Sequence, residues 1–243
     1  MTRQRLFWPT LTTVAGLALL IFLGSWQVDR LHWKEALISA REAALLTEPT
    51  ALPVQLTDVA DLEFRRIVVR GRFLHDKELY VLNRTHKSVV GVHVITPLRR
   101  DLIDGGGVVL INRGWVPHDR QDPTTRPTGQ LDGNVEISGV VRIGVTARGK
   151  FTPANDAARG QWYAPAPLAM AQAAGVDAPN LIVEADEVAN TGGLPVGGQT
   201  MTTLVNNHLS YALTWFGLAL ALVIIYLVYI FHRPRSSSQK EIE

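Results

Sequence analysis

Two apolar runs of 23 residues, Leu6 to Val28 and Leu209 to Phe231, contain no Asp, Glu, Lys or Arg, and they lie near the two ends of a 243-residue chain. A helix rises 1.5 Å per residue, so about 20 apolar residues cross a hydrocarbon core of roughly 30 Å and each run is long enough to span a bilayer. For the first run a cleaved signal peptide competes, because Arg3 and Arg5 precede it. Signal cores are typically ~7–15 residues, and this run closes on Gly24-Ser25-Trp26-Gln27 with no Ala-x-Ala-like site, which favours an uncleaved anchor.

Flanking charge sets the expected orientation. No Lys or Arg occurs between Gly160 and His232, whereas Arg233, Arg235 and Lys240 follow the second run. The positive-inside rule places that end in the cytoplasm, and an even number of spans brings the amino terminus to the same side. The expected organisation is therefore a cytoplasmic segment 1–5, a transmembrane helix 6–28, an extracytoplasmic domain 29–208, a second transmembrane helix 209–231 and a cytoplasmic tail 232–243. The middle segment holds 19 Lys plus Arg against 20 Asp plus Glu, a near-neutral balance without the footprint of a nucleic-acid binder. The chain has no Cys, which excludes disulfides, thiolate-bound zinc, iron–sulfur clusters and Cys-x-x-Cys-His haem attachment. With three Met, thiol or thioether copper carriage is disfavoured as well.

Within the middle segment, Leu31 to Leu46 is rich in helix formers and free of Gly and Pro, so a helix continues out of the first span until Pro49 and Pro53. Short β-branched runs follow: Arg65–Phe73, Glu78–Asn83, Val89–Thr96, Val108–Asn112, Val135–Val141 and Leu181–Glu184. Alternation in Arg65–Phe73 is imperfect and assigns no register. A helix is expected over Pro167–Ala174, with Gly175 closing it. Gly105-Gly106-Gly107 reads as a turn, because no Lys-Ser or Lys-Thr follows as in a phosphate loop, and residues 191–200 read as flexible. The fold class is an α+β membrane protein: two transmembrane helices flanking a mainly antiparallel, barrel-like β domain with one or two helices.

No Gly-x-Ser-x-Gly elbow, helical His pair or paired-carboxylate motif marks an enzyme. The informative residues lie at the outer ends of the spans. Trp26, Arg30 and Trp33 recur at i, i+4, i+7, which suits an aromatic belt with a snorkelling Arg; Trp26 and Gln27 could instead contact the second span. His208, Tyr211, Ala212 and Trp215 form one stripe at the start of the second span. An imidazole there serves either as an interfacial hydrogen-bonding group or as a haem-iron ligand with the porphyrin against Tyr211 and Trp215, and spacing does not choose between them.

Gly24-Ser-Trp-Gln-Val-Asp-Arg30-Leu-His-Trp33-Lys34, Phe64-Arg65-Arg66-Ile-Val-Val-Arg-Gly71, Gly91-Val-His-Val-Ile-Thr96-Pro97-Leu98, Val109-Leu-Ile-Asn112-Arg113-Gly114-Trp115-Val116-Pro117 and Asn207-His208-Leu-Ser-Tyr211-Ala212-Leu-Thr-Trp215-Phe216 together resemble the Surfeit locus protein 1 family of cytochrome c oxidase assembly factors. The resemblance covers nearly the whole chain. It implies a nonenzymatic role in which haem a is bound at the outer membrane boundary and delivered to oxidase subunit I, with a haem a synthase as a further partner. A cofactor-free scaffold for an early oxidase intermediate is the alternative. The family's proposed haem-ligand His maps onto His208; with haem there, Tyr211 and Trp215 are expected against the porphyrin, and Arg30 is expected either to pair with a propionate or to snorkel. A bacterial inner membrane is the expected location, since five residues precede the first span. Arg65, Gly114 and Trp115 are read as folding residues: a sheet-edge ion pair, a turn and a partly buried ring.

Overall fold

The computed structural model describes residues 4–56, 59–144, 152–188, 190, 192–200 and 206–232. The chain divides into two compact units, Met1–Ala40 with Thr203–Glu243, and Arg41–Thr202. The first is built on helices. α1 runs unbroken over Gln4–Leu46, 43 residues, and its last turn lies in the second unit. It stops just ahead of Pro49, whose ring and missing N–H cannot extend a helix. A second long helix, numbered α3 in chain order, covers His208–Phe231. Both are long and apolar enough to cross a membrane.

Four levels of contact tie this pair together. Thr10 Oγ1 shares a 2.5 Å hydrogen bond with the Tyr226 hydroxyl, Gly16 lies opposite Leu222, Gly24 lies against the Phe216 ring, and Gln27 meets His208. Partner numbers fall as α1 numbers rise, so the helices are antiparallel. Small residues let the backbones approach: Ala212 and Ala219 are buried on the stripe that begins at His208. A Cβ on Gly24 would lie 2.6 Å from a Phe216 ring carbon, which makes glycine the fitting residue there.

The second unit holds a seven-stranded sheet: β1 (Thr50–Ala51), β2 (Arg66–Phe73), β3 (Leu79–His86), β4 (Val89–Arg100), β5 (Val108–Pro117), β6 (Val135–Ile143) and β7 (Leu181–Ala185). Its order is β1-β2-β6-β7-β5-β4-β3, and β2 also pairs with β4 through Gly71–Phe73 against Leu98–Arg100, so the pairings β2-β6-β7-β5-β4 return to β2. Only β1–β2 and β5–β7 are parallel; the other pairings are antiparallel. α2 (Pro167–Ala173) follows the expected span, and Gly175 beyond it adopts φ +63°.

The sheet is apolar on both faces. Val109, Ile111, Leu181 and Val183 join one core with Ile67, Val69 and Leu98. Their neighbours Leu110 and Ile182 turn the other way, into a second core with Trp162 and Met170. β5 is consequently buried without a break from Val109 to Val116. In β2 the register is settled by Ile67, Val69, Gly71 and Phe73 facing inward.

Three expectations need correction. The ion pair assigned to Arg65 is made by its neighbour Arg66, whose Nη2 binds Asp186 Oδ2; Arg65 is exposed at the strand's edge. The fourth strand continues past Pro97 to Arg100, because that proline falls where β4 leaves β3, last paired at Ile95, and before it takes up β2 at Leu98. The described part of 191–200 is pinned rather than loose: Trp115 and Val196 exchange both backbone hydrogen bonds at 2.8 Å. Gly114 permits this approach, since a Cβ there would lie 1.9 Å from Val196 O and its φ is +119°.

Candidate functional site

The start of α3 and the matching turn of α1 bring His208 and Gln27 together, 181 residues apart in sequence, with Nδ1···Oε1 at 2.6 Å. The apolar stripe of α3 turns His208 toward α1, and the close Gly24–Phe216 contact sits one turn inside it. Asn206 Oδ1 accepts the His208 backbone N–H at 3.4 Å, and Asn207 O accepts from Tyr211 N. An amide oxygen accepts only, so with Oε1 toward the ring Nδ1 carries the proton and Nε2 holds the lone pair. Nε2 has no hydrogen-bond partner among the described residues. A half-buried imidazole with one nitrogen anchored and the other free is the arrangement that ligating histidines adopt.

The other expected residues gather less tightly. Trp215 is half-buried, while Tyr211 is 55% exposed and offers its ring outward. Arg30, one turn beyond Gln27, is exposed and holds its guanidinium 4.9 Å over the Trp33 ring, a cation–π contact within α1. Gln27 was legible as a possible interhelical contact but not as the residue that sets the histidine. Its signal was a polar side chain one turn after a small Gly24 at the end of an apolar run.

The β unit carries a polar cluster that sequence reasoning missed. Glu78, with 2% of its side chain exposed, accepts from Arg113 Nη1 (3.3 Å), Arg126 Nη2 (2.5 Å), Tyr80 Oη (3.2 Å) and Thr96 Oγ1 (3.4 Å). His75 Nδ1 lies 3.6 Å away. Burial pushes the Glu78 carboxyl up, but the adjacent His75 ring and the Arg126 and Arg113 guanidiniums outweigh it and bring the pKa down to about 2. Burial draws Arg113 down to about 10, against the pull of Glu78. Arg113 is further held by Gly129 O and stacks 4.7 Å over Phe73. Every Glu78 oxygen is spoken for, which makes this cluster a strut rather than a reaction centre. Among the described residues no group of three or more His, Asp or Glu is arranged to hold a metal ion.

Comparison with known proteins gives a consistent result. The sequence profile described as the SURF1 family matches residues 14–220. Surfeit locus protein 1 of Xenopus tropicalis is 40% identical over 214 residues, covering 82% of this chain and 68% of the relative. Its Homo sapiens counterpart is 38% identical over 214 residues, covering 82% and 70%. The SURF1-like protein of Drosophila melanogaster is 41% identical over 215 residues, covering 82% and 70%.

Proposed function

The chain belongs to the SURF1 family, and on that premise we propose that it is an assembly factor for a haem-copper cytochrome c oxidase, holding haem a at the outer membrane boundary and assisting its delivery to subunit I. The observation that supports the reading is the His208–Gln27 hydrogen bond, which commits Nδ1 and leaves Nε2 free to take a ligand. Haem, when bound, would supply an iron that the His208 imidazole would hold and a broad apolar ring for the neighbouring side chains to cover. Around it Tyr211 and Trp215 provide ring surface, and Arg30 provides a cation for a propionate at the water boundary. The group is carried, so the chain needs no acid, base or nucleophile.

In this reading α1 and α3 cross a bacterial cytoplasmic membrane with both termini inside. Their antiparallel pairing supports the topology, since it puts Thr10 and Tyr226 at one end and Gln27 and His208 at the other. The returning circuit of strand pairings supports reading the β unit as a small barrel, an extracytoplasmic body for docking on subunit I or a haem a synthase. A second reading, the cofactor-free scaffold, draws on the same hydrogen bond as a simple interhelical pin.

The two readings separate on purification from cells that make haem a. The carrier reading expects stoichiometric haem a in the reduced absorption spectrum, lost in His208→Ala and retained when only the β unit is perturbed. A haem-free wild type under those conditions leaves the scaffold. Arg30→Ala should weaken retention; unchanged retention removes Arg30 from the site.

A further inference from the structure

In the β unit, a cavity of about 330 Å³ is lined by Arg84, His86, His93, Glu187 and the 197–200 segment. Two short chains of hydrogen bonds fix the proton on each of its imidazoles. Gly114 N–H donates to Asn112 Oδ1 at 3.1 Å, which turns the Asn112 amide nitrogen onto His93 Nδ1 at 3.2 Å. His93 Nδ1 therefore accepts and Nε2 carries the hydrogen. Gln199 Nε2 donates to Gly197 O at 2.9 Å, which turns its Oε1 onto His86 Nδ1 at 3.2 Å. His86 Nδ1 therefore donates and Nε2 keeps its lone pair. Neither Nε2 has a hydrogen-bond partner among the described residues.

Arg84 supplies the charge. Its Nη2 donates to Tyr163 O at 3.1 Å, while Nε is buried with no partner among the described residues. Burial lowers its pKa, and the negative charge of Glu184 offsets this only in part. A cation held out of water without a paired carboxylate is costly, and an anion beside it recovers part of that cost. Burial first, then the charge of Arg84, holds the His93 ring down to about 4, so it stays a neutral donor near pH 7. Glu187 is exposed at the rim, which disfavours polyanions.

We propose that this cavity binds a small monoanion whose charged oxygens face Arg84 and His93 Nε2–H and whose hydroxyl donates to His86 Nε2. Two donors and one acceptor around a single cation fit an oxyanion that also carries a hydroxyl, a chemistry shared by 2-hydroxycarboxylates and by dihydrogen phosphate. The Asn112–Gly114 bulge in β5 then has a binding role beyond the fold, since it orients the His93 donor.

The test uses the full chain in detergent, labelled with ¹⁵N-histidine, titrated separately with lactate, inorganic phosphate on its monoanion side, and acetate. Expected are saturable shifts of the His93 and His86 ring resonances, with a dissociation constant on the order of 1 mM or tighter for lactate or phosphate. The tighter of the two identifies the source, and acetate, lacking the hydroxyl, should bind about tenfold more weakly. His93→Gln keeps a side-chain N–H donor and should bind within a few-fold of the wild type, whereas His93→Leu should lose about tenfold. Unsaturable shifts with both anions, acetate binding as well as lactate, or undiminished binding by a folded His93→Leu would overturn the proposal. Should His93→Leu not fold, the wild-type titration and His93→Gln decide.

Discussion

The β unit and the helical pair each join distant segments through a polar contact, and the two contacts are built on opposite plans. Around Glu78, two guanidiniums and two hydroxyls close on one carboxylate until no acceptor site is left. Between Gln27 and His208 a single neutral hydrogen bond is made and one ring nitrogen is left over. The difference teaches how to separate support from service in a chain without a catalytic motif. A polar group whose bonding capacity is used up within the fold stabilises that fold, whereas one with a spare lone pair in a defined direction can take a ligand.

That contrast breaks most visibly at Glu78. Glu78→Gln leaves Arg113 and Arg126 buried without a counter-charge and should destabilise the β unit by about 3–5 kcal/mol, read by chemical denaturation with near-UV circular dichroism. The helical signal should survive that change. The sign of the pH dependence follows from the lowered pKa: Glu78 stabilises fully above its ordinary value of 4.5, and about 3 kcal/mol is lost as pH falls from 4.5 to about 2. Acid melting of the β unit that is identical in Glu78→Gln and wild type would refute this account.

A smaller effect tests the helix pair. Gly24→Val drives a Cβ into the Phe216 ring and should cost about 1–3 kcal/mol of pairing. With Thr10→Cys and Tyr226→Cys introduced in the cysteine-free chain, disulfide capture between α1 and α3 should fall when Gly24→Val is added. Undiminished capture would mean that the close approach is dispensable. The smallest change is Gln27→Leu, expected to cost about 1 kcal/mol and to let the His208 proton exchange between its two nitrogens. Ring ¹⁵N shifts report the tautomer; a pure Nδ1–H form in the variant would show that Gln27 does not set it.

The same division governs what could be read from the chain. Charge-free length exposed both long helices, and β-branched runs exposed six of seven strands; the two-residue β1 carries no such signal. Local pattern failed where a partner decides the outcome. Pro97 looked like a strand terminus until the handover from β3 to β2 was visible, and Glu78 looked like an ordinary strand residue because its guanidinium partners lie 35 and 48 residues away. At the helical site the histidine was recognisable from its motif, yet its free nitrogen was not. Which nitrogen is free depends on a glutamine 181 residues distant.

The unbroken burial of β5 has a consequence for how the chain can change over time. Strand β2 has a forgiving side, where Arg70 and Arg72 face water and substitutions register weakly. From Val109 to Val116, β5 has none: every residue of that stretch is buried. Inherited variation should therefore be written in alternate letters along β2 and erased along β5, so that a stretch whose residues include Asn112, Arg113 and Gly114 stays legible across distant descendants for reasons of packing as much as of chemistry.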